Sequence, residues 1–262
     1  MKIKKTLGLA VLSSLFFNAY TNAETPNTSC ADIVNASHVE GIYNSDSCSA
    51  GLFAKSHFSA ISNFNILDAT TVSFNFITPN DLETGWVMVW KDTTEVDFSM
   101  KPLFKAPLSS NKGHYVLHSD RINFQQGIYT IAITAGKDER SVAATRAMVF
   151  GQPAQSGGST IAVTRKALTG ITAVYNSPPN VVASDNLAWL QVFDGNNIGD
   201  SPEQNTQPIL EMTSPLIDSS GVFSINFPAG MLKNYRTYTL IFNPGRGFGA
   251  VAAAHTFKYI LQ

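Results

Sequence analysis

Trp86-Val87-Met88-Val89-Trp90 and Trp189-Leu190-Gln191-Val192-Phe193 are one five-residue pattern written twice, at an offset of 103 (86 to 189). Ile122-Asn123-Phe124 and Ile225-Asn226-Phe227 repeat at the same offset. Further along, Tyr129-Thr130-Ile131 answers Tyr238-Thr239-Leu240, and Val142-Ala143-Ala144 answers Val251-Ala252-Ala253, both at an offset of 109 (129 to 238, 142 to 251). Gly136-Lys137 and Gly245-Arg246 stay in that later register. So many ordered matches mark a duplicated unit. The change of offset predicts a six-residue insertion in the second copy, around Met231 to Arg236.

Both copies alternate with period two, the spacing of a half-buried strand. Val72, Phe74 and Phe76 alternate with Ser73, Asn75 and Ile77, Tyr129, Ile131 and Ile133 with Thr130, Ala132 and Thr134, and the chain closes on Phe257, Tyr259 and Leu261. Turn formers such as Thr78-Pro79-Asn80-Asp81 and Ser177-Pro178-Pro179-Asn180 punctuate these runs, and no long helical stripe follows the N-terminus. The pattern predicts an all-β chain of two tandem antiparallel β-sandwiches, each of about 100 residues. Between them Gly151-Gln152-Pro153-Ala154-Gln155-Ser156-Gly157-Gly158-Ser159 has the composition of a linker. The expected division is a signal peptide over 1–23, an N-terminal segment over 24–50, domain 1 over 51–151, a linker over 152–159 and domain 2 over 160–262.

The first 23 residues have the three parts of a secretory signal. Lys2, Lys4 and Lys5 precede an apolar run from Leu7 to Phe17, and Thr21-Asn22-Ala23 supplies the cleavage site. Ser13, Ser14 and Asn18 interrupt or end that run short of the roughly 20 apolar residues a membrane span needs. A cleaved signal, and a secreted or periplasmic product with no membrane span in the mature chain, are expected. The lysine-rich start suits a bacterial signal. Removing those three lysines from 18 basic residues leaves 15 against 19 acidic ones. Such a balance gives phosphates nothing to bind, so nucleic acid is not an expected partner. Cys30 and Cys48 are an even pair in an exported chain and predict a disulfide, worth roughly 3 kcal/mol on the chain-entropy account.

On a strand, Trp86, Met88 and Trp90 share one face and Val87 and Val89 the other. The aliphatic row stays aliphatic in the second copy, whereas the aromatic row becomes Trp189, Gln191, Phe193. Acceptance of a Gln favours a row facing partly outward, where flat aromatic rings make a contact platform for sugars or proteins. The other reading is that these rings are packing. Trp86, Trp90, Trp189 and Phe193 are therefore the candidate ligand-binding residues.

No catalytic, metal or cofactor site is expected. Asp194-Gly195-Asn196-Asn197-Ile198-Gly199-Asp200 has oxygen ligands but places Ile198 at a ligand position, and reads as a turn. His114 and His118 would stand about 13 Å apart on a strand. Gly-x-Ser-x-Gly and His-Glu-x-x-His are absent, and Gly245-Arg246-Gly247-Phe248-Gly249 follows Asn243-Pro244 as a hairpin turn.

With its tryptophan-bearing strands at Trp86 and Trp189, and its strand-turn-strand units beginning at Tyr129 and Tyr238, the chain resembles the immunoglobulin and fibronectin type III class of sandwich. Its tandem form behind a signal is similar to tandem fibronectin-III proteins of the biofilm matrix. The resemblance implies a non-catalytic adhesin or matrix component that recognises polysaccharide or cell-surface protein. A self-associating structural protein, for instance a homodimer, is the first alternative. An enzyme accessory module or hydrolase with an unrecognised site is the second.

Overall fold

The computed structural model describes residues 43–44, 55–79, 84–182, 185–195, 207–213, 218–245 and 250–261. The signal segment, Cys30 and Cys48 lie outside the described residues. Chain order opens with β1 (Tyr43–Asn44) and β2 (Lys55–His57). The first copy supplies β3 (Ala60–Ile66), β4 (Thr71–Ile77), β5 (Trp86–Lys91), β6 (Phe104–Pro107), β7 (Lys112–His118), β8 (Ile128–Thr134) and β9 (Val142–Val149). After β10 (Gln152–Gly158), the second copy supplies β11 (Thr160–Ala167), β12 (Gly170–Asn176), β13 (Trp189–Asp194), β14 (Leu210–Thr213), β15 (Ser220–Asn226), β16 (Thr237–Asn243) and β17 (Ala253–Lys258).

The fold is all-β, two tandem antiparallel β-sandwiches. In the first, a three-stranded sheet β3-β4-β7 faces the sheet β10-β9-β8-β5-β6, and in the second β11-β12-β15 faces β1-β2-β17-β16-β13-β14. All pairings are antiparallel. The predicted alternation explains each core. Val72, Phe74 and Phe76 from one sheet meet Val87, Val89 and Ile131 from the other in the first sandwich, while Ile171, Leu190, Leu240 and Phe242 fill the second. Burying each such side chain contributes about 1.5–3 kcal/mol. In both copies a tyrosine locks the corner leading into the sheet. The Tyr129 hydroxyl accepts the Asn123 amide at 3.0 Å, and the Tyr238 hydroxyl accepts the Lys233 amide at 2.8 Å.

The ladders redraw the repeat. Phe76 lies opposite Gly113 and Tyr175 opposite Gly221, so β7 corresponds to β15 at an offset of 108 (113 to 221), with Leu117 and not Ile122 in the place of Ile225. The turn that carries Ile122, closed by its amide on the Ser119 carbonyl, recurs at Met231 on the Pro228 carbonyl. The six-residue insertion predicted around Met231 to Arg236 is therefore not there. The two INF motifs share residues but occupy different positions. The length differences fall in the earlier loops, where the offset grows from 99 at Phe76 and Tyr175 to 103 at Trp86 and Trp189.

The stretch read as a linker carries a strand. Phe150 (φ 50°) and Gly151 (φ 75°) form a two-residue turn with both backbones left-handed, the geometry that folds one strand straight back on another. Gln152 then pairs with Val149, and β10 runs along β9 as far as Gly158 opposite Ala144. Its glycines answer to crowding, not to flexibility. A Cβ on Gly158 would collide with the Ser59 carbonyl oxygen, and one on Gly157 with Pro179.

From β10 the chain passes through Ser159 into the other sandwich, and β2 makes the mirror passage. It pairs with β17, the last strand of the second copy, placing His57, Ser56 and Lys55 opposite Ala254, His255 and Thr256, and then crosses at Ser59 into β3. Residues 55–57, expected within domain 1, thus complete the sheet of domain 2. The two passages touch. The Ser59 amide donates to the Ser159 carbonyl (3.1 Å) and the Ser159 amide to the Ala143 carbonyl (2.9 Å). The Ser59 hydroxyl donates to the Ala252 carbonyl (2.6 Å) and the Ser159 hydroxyl to the Ala143 carbonyl (2.9 Å). Each copy lends its leading strand to the other's sheet.

His255 is enclosed in this exchange, with Nδ1 2.7 Å from the Ser56 hydroxyl and its ring stacked on Phe257. Burial, with smaller contributions from Lys166 and His57, lowers its pKa to about 4. A base depressed in the folded state stabilises fully above its ordinary value of 6.5 and loses that contribution as pH falls from 6.5 to about 4. Urea titrations across that range are expected to show stability falling by about 3 kcal/mol, and His255→Gln to remove most of the slope. Tyr129→Phe and Tyr238→Phe leave a corner amide without its acceptor, and each is expected to cost about 1–3 kcal/mol in the same titration.

Candidate functional site

The row Trp86, Met88, Trp90 does point away from the sandwich core, since Val87 and Val89 fill it. Nevertheless it is not an exposed platform. Met88 is 0% and Trp90 2% exposed, because a second apolar cluster covers them. Val96 and Phe98 from the β5–β6 loop lie on the row, Ala132 and Val142 flank it, and Val181 arrives from the second sandwich. The Asn180 amide clamps that arrival by donating to the Val96 carbonyl at 2.6 Å. This cover leaves no periodic mark in the sequence, since it is assembled from a loop and from residues about 90 positions downstream.

The covering loop is built by local bonds. Asp97 Oδ1 accepts the Ser99 hydroxyl (2.6 Å) and amide (2.8 Å), and these bonds hold its carboxyl below the ordinary carboxylate value. The Met100 amide returns to the Asp97 carbonyl, and Thr130 on β8 ties the loop down by donating to the Thr93 carbonyl at 2.8 Å. The Trp90 indole N–H donates to the Met100 carbonyl at 3.3 Å. Trp90 thus supports the loop from below, while Phe98 and Met100 present themselves above.

Beside this loop lies an open groove of about 400 Å³, lined by Trp90, Phe98, Met100 and Pro102 and by the four consecutive charged residues Lys137, Asp138, Glu139 and Arg140. The charged wall is the β8–β9 turn. It is closed by the Ala135 amide on the Ser141 carbonyl and the Ser141 amide on the Asp138 carbonyl. The second sandwich braces it, because Gly245 packs where a Cβ would stand only 3.0–3.1 Å from Ser141 and Asp138. Trp86, half-buried, is tied to the same turn. Its indole N–H donates to the Lys137 carbonyl at 2.9 Å, the Lys105 ammonium stands 3.9 Å above its ring, and Lys105 pairs with Glu139. The groove therefore has an apolar floor of flexible and aromatic side chains and a wall carrying both signs of charge. Met100, 42% exposed, is its most accessible apolar group.

The equivalent face of the second sandwich is wired differently. The Asn243 amide donates to Gln191 Oε1 (2.9 Å), and the Gln191 amide donates to Glu211 (3.0 Å). Trp189 and Phe193 are half-buried, Phe193 against Ile241 and Ala254. Asp194 of the candidate oxygen-rich turn bonds Arg236 at 2.6 Å, and the rest of that turn, 196–200, lies outside the described residues. Residues 246–249 of the Gly245 to Gly249 run also lie outside them. His114 and His118 sit exposed on β7, bonded to Asn75 and Thr71 respectively. Among the described residues, no three His, Cys, Asp or Glu side chains stand together as a metal site, and no helix is long and apolar enough to cross a membrane.

A second cavity, of about 350 Å³, lies at the junction of the copies and is lined by Glu95 from one loop, by Gln155, Ser156 and Gly157 of β10 and by the Asn176 to Asn180 turn.

No family model matches the chain, and neither does any curated protein. Among solved structures, a two-domain fibronectin type-III segment of chicken tenascin aligns over 76% of this chain and 98% of its own, at 12% identity and a TM-score of 0.25. The BSP domain of a biofilm-associated protein aligns over 78% of this chain at 16% identity and a TM-score of 0.21, and this chain spans 29% of it.

Proposed function

We propose that this protein is an exported, non-catalytic binding protein of the adhesin or extracellular-matrix class, and that the groove beside the β5–β6 loop of the first sandwich is its contact site. The observation that carries this reading is the presentation of Phe98 and Met100 on a loop fixed from below by Trp90 and from the side by Asp97, next to a wall carrying both signs of charge. A methionine and an aromatic ring adapt to irregular apolar side chains, and Lys137, Asp138, Glu139 and Arg140 offer partners to backbone and charged groups alike. That chemistry fits a segment of a polypeptide surface better than a sugar face, because the flat Trp90 ring, which would stack on a pyranose, is covered. The tandem build adds a second face of different chemistry around Gln191 and Phe193, so the two copies need not hold the same ligand.

The test separates contact from folding. Met100→Lys and Arg140→Glu are expected to leave the unfolding free energy within about 1 kcal/mol of wild type and to lower retention on immobilised extracellular matrix protein at least tenfold, with polysaccharide columns unaffected. Retention unchanged by both folded variants removes the groove as the site, and loss on polysaccharide alone replaces the polypeptide by a glycan. Trp90→Ala is expected to cost about 3–5 kcal/mol of stability, since it empties the support beneath the loop.

A further inference from the structure

The two leading strands fill equivalent slots but are held very differently. β10 enters its slot beside β9 through a two-residue hairpin, pairs from Gln152 to Gly158 and cannot leave without opening that turn. β2 fills the corresponding slot beside β17 with three residues, and it reaches β17 from the other end of the sequence. Nothing covalent near β17 holds it there. Its joint to the first sandwich is Phe58-Ser59, where the chain crosses, and among the described residues β1 pairs with β2 alone. β2 is held by the β2–β17 ladder and the Ser56 to His255 bond, with His57 and Phe58 also engaged, and the Ser59 bonds to Ala252 and Ser159 hold the joint.

A three-residue strand lies toward the low end of the local-opening scale. Once it is out, β17 becomes an open sheet edge whose backbone groups and His255 side chain are shaped for residues 55–57 of any copy of this chain. Exchange of an identical element between copies replaces every contact it breaks, so the bonds lost inside one chain are regained between two.

We propose that the N-terminal arm ending at Phe58 exchanges between copies, β2 of one chain seating beside β17 of a second and joining two molecules into a dimer by reciprocal arm exchange. The occupant of the slot is a second copy of this chain, and the hinge is Phe58-Ser59. This association is independent of what the groove binds, because Phe98, Met100 and the Lys137 to Arg140 wall take no part in it.

The experiment reads the exchange itself. The full-length Ser56→Cys/His255→Cys variant is prepared in unlabelled and nitrogen-15-labelled forms, mixed at high concentration in urea below the unfolding transition, diluted, oxidised and mapped by mass spectrometry. The expected result is linked 56–255 peptides of which about half combine one labelled and one unlabelled partner, as random exchange requires. The control, Arg146→Cys/Ser156→Cys across β9 and β10, is expected to give peptides of matched label only. Matched label in both, with the 56–255 link forming efficiently, overturns the proposal, as does mixing in both, which reports general unfolding. Should the paired variants fail to fold, wild-type chain treated in the same way is sized by sedimentation velocity. A dimer that persists on dilution and is absent in Ser56→Pro is expected, and monomer at every concentration overturns the proposal.

Discussion

Everything in the arrangement of this molecule turns on the crossing at Ser59 and Ser159. Two extended segments pass between the sandwiches at one point, joined by the Ser59 amide on the Ser159 carbonyl, and each serine hydroxyl caps a carbonyl at the start of a last strand, Ala252 or Ala143. Such a crossing leaves no room for side chains, and Gly158 stands against the Ser59 carbonyl for that reason. The copies therefore touch along a fixed line. Ala135 and Ala143 of the first copy join the core of the second, small enough to let the sheets approach.

That fixed approach makes the candidate site. With the sandwiches docked, the Pro178 to Val181 turn of the second copy reaches the outer face of the first, where Val181 packs over Met88 and Trp90 and Asn180 holds the β5–β6 loop by its Val96 carbonyl. Gly245 supports the β8–β9 turn from the same side. The groove between loop and turn belongs to one sandwich by its residues and to both by its support. The same row in the second copy uses Gln191 as the middle of a hydrogen-bonded relay from Asn243 to Glu211, which keeps a buried amide satisfied.

The exchanged strand also gives the fold its weak point. His255, enclosed beneath a three-residue strand, is held neutral by burial, and Lys166 and His57 beside it further disfavour its protonation. The matching position of the first copy is Arg146, opposite Ser156 as His255 is opposite Ser56, with its guanidinium reaching toward the Phe64 ring. Duplication kept the backbone of the slot and changed its electrostatics. One slot is closed by a hairpin and the other by an arm from far along the chain.

Period-two alternation and the doubled Trp-bearing strand determined the all-β class, the two copies and the inward rows, because burial of alternate side chains is a local property of any strand with one face against a core. The late register, Tyr129 with Tyr238 and Val142-Ala143-Ala144 with Val251-Ala252-Ala253, was legible for the same reason, whereas the corner bonds of the two tyrosines were not. The INF motifs misled because a three-residue likeness does not fix a ladder, and the glycines of 151–158 misled because composition cannot distinguish a flexible link from a crowded crossing. The covering of Trp90, the placement of β2 beside β17 and the charged wall across from Met100 were decided only by the tertiary structure. Each depends on residues about 40 to 200 positions apart, whose meeting follows from how loops and finished sandwiches dock and leaves no periodic trace in the chain.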